Sequence, residues 1–178
     1  MKKVMIILLL GSFILTLAAC DDTSDDEKEL KEFVTDYKSK LYNIENPNLL
    51  NEKHPTKVSQ KFSRKIEPYE TNEVLEDLTL NRQLIIIPQI AQALGKKVKL
   101  QDISLEKVKE NEDGSINYDY TMKIKYYDDE SENIVKKNGE LTTINNDNGW
   151  KITRDWENHT KFEKEAMQQY LEAQHDSN

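Results

Sequence analysis

The chain has 178 residues, with 33 acidic and 25 basic side chains and a formal net charge of −8. Nucleic-acid binding is disfavoured by this balance, because phosphate recognition needs a basic face and the lysines here are interleaved with acidic residues. The length suffices for one hydrophobic core once an N-terminal targeting segment is removed, so we expect one domain.

Residues 1–19 have the three parts of a secretory signal. Two lysines follow the initiating methionine, residues 4–17 form an almost unbroken apolar run, and Ala18 and Ala19 are small residues of the kind that signal peptidases accept. The run is too short for a comfortable bilayer span of about 20 residues. We therefore expect residues 1–19 to be removed.

The chain has one cysteine, Cys20, directly after this segment. The sequence Leu17-Ala18-Ala19-Cys20 resembles the lipobox of bacterial lipoproteins. This resemblance implies that the Cys20 thiol carries a diacylglycerol anchor, becomes the new N-terminus and holds the protein at the extracytoplasmic face of the cell membrane. The alternative is a secreted protein with a chance cysteine, but a lone thiol in an exported protein would have no disulfide partner.

Residues 20–26 are rich in aspartate, and we interpret them as an extended acidic tether. A capping box formed by Ser24 and Glu27 predicts the start of the first helix. Apolar residues at steps of three and four predict one buried stripe on this helix. They are Leu30, Phe33, Val34, Tyr37, Leu41 and Ile44.

Three further helical segments follow. One lies after Thr56, one begins at Asn72, and one carries the apolar run 84–94, with Pro88 in its first turn and Gly95 closing it. The run 84–94 is either deeply buried or a docking face, and we favour burial.

From Val98 onward the apolar pattern changes to a period of two, which predicts strands. A change of phase near Gln101 and Asp102 predicts a bend or bulge in the first strand. Asp113-Gly114 and Asn148-Gly149 predict tight turns, and alternation from Ile116 to Tyr126 predicts a long second strand. Strands joined by such short turns pair antiparallel in chain order, so the fold class is α+β with about four strands.

Helices followed by a meander that ends in "GWKITRDW" resemble the nuclear transport factor 2-like, cystatin-like superfamily over residues 27–158. The resemblance implies a curved sheet wrapped around the first helix, forming a cone that holds a small molecule or closes against a partner. Residues 159–178 add a C-terminal helix and tail, for which Thr160 and Glu163 form a capping box. This helix either covers the sheet or closes the cone.

No catalytic residue, metal site or cofactor site is predicted. The histidines, His54, His159 and His175, lie in predicted loops or the tail and are not spaced as metal ligands. The acidic segment "DDESEN" lacks the glycine and spacing of a calcium loop, so we interpret it as a solvated turn.

A possible pocket is predicted from Arg154, Tyr118 and Tyr120. Arg154 alternates in phase with Ile152 and Trp156, so either its guanidinium points into the cone or the end of the strand is solvated and the arginine lies over Trp156. We favour the solvated arrangement, and we expect the tyrosines to serve in packing.

Two classes of function follow. The first is a non-catalytic protein-interaction domain that binds another envelope protein, and the second is a small-molecule carrier or sensor that uses the cone pocket. We favour the first.

Overall fold

A computed structural model of the chain describes residues 25–175. The predicted signal segment, the lipobox with Cys20, and Ser24 lie outside the described residues. No helix in the described part of the chain is both long and apolar enough to cross a membrane.

Helices occupy the first half of the domain and its C-terminal end. The first helix begins at Asp25, so the last two residues of the predicted tether, Asp25 and Asp26, lie in its first turn, where acidic side chains are favoured by the helix dipole. The helices are α1 (Asp25–Tyr42), α2 (Leu49–Glu52), α3 (Pro55–Ile66), α4 (Asn72–Leu80), a 3-10 turn (Gln83–Ile85), α5 (Ile86–Leu94) and α6 (Lys161–His175).

The second half forms one antiparallel sheet in which each strand pairs with the next along the chain. The strands are β1 (Lys97–Glu110), β2 (Ile116–Tyr127), β3 (Glu132–Asn146) and β4 (Gly149–Glu157). Both predicted glycine turns are present, with positive φ at Gly114 and Gly149. The fold is therefore the predicted α+β class, with a curled four-stranded sheet.

The phase change in β1 is a β-bulge. The pairing with β2 shifts between Leu100 and Asp102, which leaves Gln101 without a direct partner and turns the following residues over. The buried residues Val98 and Leu100 before the shift, and Ile103 after it, therefore face the same core. The bend predicted from the sequence is confirmed.

The core lies between α1 and the concave face of the sheet, and it is sealed by α5 and α6. The run 84–94 is mostly buried, as favoured above, with Pro88 in the first turn of α5 and Gly95 ending it at φ 63°. The helix α6 packs against α5 and reaches the sheet through Phe162, whose ring centroid is 5.2 Å from that of Tyr126. The C-terminal helix thus contacts both α5 and β2.

The segment "DDESEN" begins in the turn between β2 and β3. The carboxylate of Asp128 accepts hydrogen bonds from the backbone N–H groups of Glu130 and Ser131, and these bonds lower its pKa to about 2. Within residues 25–175, no group of three or more His, Cys, Asp or Glu side chains is placed to hold a metal ion.

Candidate functional site: a buried ion-pair cluster beneath a cavity

A bulge in β4 determines which side chains enter the cone. The pairing with β3 shifts so that Thr143 faces Ile152 while Thr142 faces Arg154, which leaves Thr153 as an extra residue. Ile152 is buried, but Arg154 after the bulge is exposed. The predicted common phase of Ile152, Arg154 and Trp156 is therefore wrong, because one inserted residue turns the rest of the strand over.

Asp155 and Glu157 take the inward positions instead. Lys38 on α1 meets them: its ammonium group lies 2.7 Å from Asp155 Oδ2 and 3.0 Å from Glu157 Oε2, and it also donates to the Tyr120 hydroxyl at 2.8 Å. The Lys38 side chain is 0 % exposed. Burial acts to lower the pKa of Lys38, but the charges of Asp155 and Glu157 outweigh it and raise that pKa above its usual value.

Lys137 on β3 forms the second buried cation. Its ammonium group lies 3.1 Å from both Glu157 Oε1 and Glu163 Oε1 and donates to the Tyr42 hydroxyl at 2.8 Å. Burial would raise the pKa of Glu157, but Lys38 and Lys137 together hold it well below its usual value. Glu157 is thus an ionised bridge between the two lysines.

Glu163 joins this cluster to α6. One of its carboxylate oxygens accepts from the Tyr126 hydroxyl at 2.8 Å and contacts Lys137, while the other accepts from the Thr160 backbone N–H at 3.0 Å. The capping box predicted at Thr160 is confirmed, and its glutamate is also a buried partner of Lys137.

Tyr120 crosses the sheet directly over Gly139, its pairing partner on β3. A Cβ atom at Gly139 would lie 2.3 Å from the Tyr120 ring and 2.4 Å from the Trp156 carbonyl oxygen. Only glycine leaves room for the ring at this position. The missing side chain thus allows the Tyr120 hydroxyl to reach Lys38.

Tyr37 on α1 lies between two carboxylates. Its hydroxyl is 2.6 Å from Glu70 Oε1 and 2.8 Å from Asp155 Oδ2. Burial, helped by the neighbouring charge of Asp155, raises the pKa of Glu70 to about 7, although the hydrogen bond from Tyr37 and the charge of Lys38 act to lower it. Glu70 is held there by a parallel bridge between its backbone and Ile152.

A cavity of about 400 Å³ opens next to this cluster. Asp155, Glu157 and the Tyr37 and Tyr42 rings line its inner side, and its walls are mainly apolar. The apolar wall residues include Leu41, Leu78, Leu84, Ile86, Ile87 and Trp156. This volume falls within the range of small-ligand sites, about 300 to 1,000 Å³.

An apolar groove of about 350 Å³ runs between α5 and α6. Ile86 and Ile90 line one side, and Met167 and Leu171 line the other. The Leu171 side chain is 54 % exposed beside this groove. The groove and the cavity share residues, among them Ile86, so the two lie side by side.

The three predicted pocket residues do not lie together. Tyr118 is buried opposite Leu141, and Tyr120 belongs to the ion-pair cluster. Arg154 is 58 % exposed on the other face of β4, where it donates to Glu140 at 2.7 Å. Its solvent exposure agrees with the arrangement we favoured, although its polar partner is Glu140.

The predicted loop histidines have no common site. His54 accepts a hydrogen bond from the Thr56 backbone and caps α3, His159 lines the rim of the cavity, and His175 ends α6.

The buried lysines were missed from sequence, although each leaves a signal. Lys38 lies four residues after Val34, on the buried stripe of α1, and Lys137 is in phase with Val135 and Leu141 on β3. A lysine in phase with a buried stripe indicates either a break in the element or an internal ion pair.

No protein-family model matches the chain, and a comparison with curated proteins gives no match. Among solved structures, a periplasmic fragment of TraM is similar with a TM-score of 0.50 at 10 % identity, covering 75 % of this chain and 98 % of that one. An IcmL-like type IV secretion system protein from Legionella pneumophila gives 0.51 at 11 % identity, covering 74 % and 91 %. An Ntf2-like protein involved in plasmid conjugation gives 0.43 at 13 % identity, covering 76 % and 50 %.

At these identities the similarity shows the fold and nothing about activity. The architecture agrees with the nuclear transport factor 2-like fold expected from the sequence, since it has helices followed by a curled antiparallel sheet. The chain therefore shares its fold with the periplasmic fragment of TraM and with the IcmL-like type IV secretion system protein.

Proposed function

We propose that this protein is a lipoprotein, anchored through Cys20 to the outer face of the cell membrane, whose domain is non-catalytic and binds another protein of the cell envelope. The anchor rests on the lipobox resemblance at Leu17 to Cys20.

The exposed apolar groove between α5 and α6 carries the proposal for protein binding. Leu171 is 54 % exposed on α6, and the groove beside it is lined by further apolar side chains of α5. Exposed apolar surface of this kind is typical of sites that are covered by another protein.

The interior of the cone supports the same function. The space around Tyr120, where a small-molecule pocket was the alternative, is filled by Lys38 and its carboxylate partners. The cavity that is present lies beside the ion-pair cluster and shares lining residues with the groove, among them Ile86. A partner that covers the groove would also cover the cavity.

The neighbours in fold are compatible with an envelope partner. One is a periplasmic fragment of TraM and another is a type IV secretion system protein. We infer that the present domain acts in the same way as part of an envelope assembly, held near the membrane by its anchor and a short acidic tether.

Site-specific photo-crosslinking in intact cells tests this function. A photo-reactive amino acid replaces Leu171 in the groove, and the matched control carries it at Ile134 on β3, which is 55 % exposed. We expect one discrete envelope-protein adduct from position 171 and none from position 134. Absence of an adduct at 171, or the same adducts from both positions, would contradict the proposal.

A further inference from the structure

The ion-pair cluster carries an excess of negative charge. In the described part of the chain, the ammonium groups of Lys38 and Lys137 contact the carboxylates of Asp155, Glu157 and Glu163. Two cations thus face three anions. An uncompensated charge away from bulk water is unfavourable, and the excess favours the entry of a further cation.

The tyrosine hydroxyls do not remove this excess, because each has a single hydrogen to donate. The Tyr120 hydroxyl lies 3.0 Å from Asp155 Oδ1 and 3.2 Å from Glu157 Oε2, so it can donate fully to only one of them. The Tyr37 hydroxyl is shared in the same way between Asp155 and Glu70. The hydroxyls therefore share hydrogen bonds among the carboxylates but add no positive charge to the cluster.

Two of the carboxylates in the cluster can be reached from outside. Asp155 and Glu157 line the cavity, and the Glu157 side chain keeps 22 % of its surface exposed. The mainly apolar cavity walls beside these carboxylates can pack against the methylene groups of a long side chain. A lysine or arginine side chain combines such methylene groups with a charged head group, and it is buried in this way when the head group meets a carboxylate.

We propose that the cavity receives a lysine or arginine side chain from a partner protein, while apolar residues on either side of it in the partner segment lie in the groove between α5 and α6. This inference rests on the proposed function and names the chemistry of the partner: an apolar segment with one basic side chain.

The charges around the cavity support this occupant. Lys164 also lines it, but Lys164 is exposed on the rim, where water screens its charge. The chain itself has a net charge of −8. A basic partner is therefore favoured over a second copy of this acidic chain.

Calorimetry on the full chain in detergent micelles tests the proposal with three probes. The first is the acetylated, amidated peptide Leu-Ser-Leu-Lys-Ser-Leu, and the second is the same peptide with uncharged norleucine in place of lysine. The third is n-butylammonium chloride, which presents the cationic head group without a peptide. We expect the lysine peptide to bind about tenfold or more tightly than the norleucine peptide, as one charge-assisted hydrogen bond implies.

Two variants locate the charge that is recognised. Glu157→Gln keeps the shape of the side chain and removes the excess charge, so it should weaken the lysine peptide about tenfold and leave the norleucine peptide unchanged. Glu140→Gln makes the same change in net charge on the outer face of the sheet, beside Arg154. It should leave both peptides unchanged.

Equal binding of the lysine and norleucine peptides to the unmodified protein would overturn the inference, and this comparison needs no variant to fold. If butylammonium binds as tightly as the lysine peptide, the occupant of the cavity is a small organic cation and the proposed partner segment is wrong. If crosslinking from position 171 succeeds while both peptides bind alike, the proposed function stands and this inference fails. Loss of crosslinking from position 171 counts against the proposed function whatever the peptides do.

Discussion

Lys38 on α1 and Asp155 on β4 form a buried ion pair, with 2.7 Å between Nζ and Oδ2. The two residues are 117 positions apart in the chain. This pair connects the first helix of the domain to its last strand, and it does so beside the candidate cavity.

Replacement of Lys38 by methionine should destabilise the fold strongly. The change keeps an apolar stem but leaves Asp155 and Glu157 in the interior without their shared cation, and breaking a buried pair in this way costs about 3–5 kcal/mol. Urea unfolding of the full chain measures the loss. The control is Lys40→Met, which removes a surface lysine paired with Asp36 on the same helix and should cost less than about 1 kcal/mol. Equal losses of unfolding free energy in Lys38→Met and Lys40→Met would show that the buried ion pair contributes no more to stability than the surface pair does.

Gly139→Ala should also destabilise the protein. The added Cβ would meet the Tyr120 ring and the Trp156 carbonyl oxygen at 2.3–2.4 Å, and the carbonyl belongs to backbone that cannot easily move. Overpacking of this kind costs about 1–3 kcal/mol. Thermal melts compare it with Lys136→Ala at an exposed position of the same strand. If Gly139→Ala is as stable as Lys136→Ala, the sheet must shift at Gly139 to make room for the added Cβ atom.

The stability of the protein should depend on pH through Glu70. Its pKa rises from 4.5 to about 7 on folding, so the folded state binds the proton more tightly than the unfolded state does. The contribution of neutral Glu70 is therefore fully present below about pH 4.5 and is lost as the pH rises through about 7. Above that pH, the ionised groups of Glu70 and Asp155 both compete for the single hydrogen of Tyr37.

Glu70→Gln isolates this effect, because the amide resembles the neutral acid at every pH. We expect the variant and the unmodified protein to have similar unfolding free energies at pH 5. At pH 8 the variant should be the more stable by about 1–3 kcal/mol. Urea unfolding at the two pH values provides the measurement, and Glu140→Gln should show no such change. If the difference in unfolding free energy between Glu70→Gln and the unmodified protein is the same at pH 5 and pH 8, Glu70 is not the group that causes the pH dependence.

Cys20→Ala should abolish lipid attachment. If the lipobox is used, the Cys20 thiol is the site of the diacylglycerol, so the unmodified protein should incorporate labelled fatty acid and sediment with membranes. The alanine variant should do neither. Asp21→Ala, which keeps the cysteine, is the control and should remain labelled. An unlabelled wild-type protein would contradict the lipoprotein assignment.

The β1 bulge at Gln101 and the β4 bulge at Thr153 show when the apolar periodicity of a sequence predicts the face of a strand on which each side chain lies, and when it does not. In β1 the apolar residues on both sides of the bulge record the change of phase, so the sequence predicted the bend. In β4 the residues after the bulge are charged or aromatic, and nothing in their order marks the inserted residue. Asp155 and Glu157, which line the cavity, were therefore not predicted to point inward.

The sequence by itself determined the order of helices and strands, the glycine turns and the cap of α6, because these depend on local backbone preferences and on one apolar face in each element. The burial of Lys38 and Lys137 was decided only by the tertiary structure. A lysine can remain charged in a core only when carboxylates surround it, and those carboxylates come from β4 and α6, far along the chain. The cavity beside Asp155 and Glu157 exists for the same reason, since its walls come from elements that meet only in the folded protein.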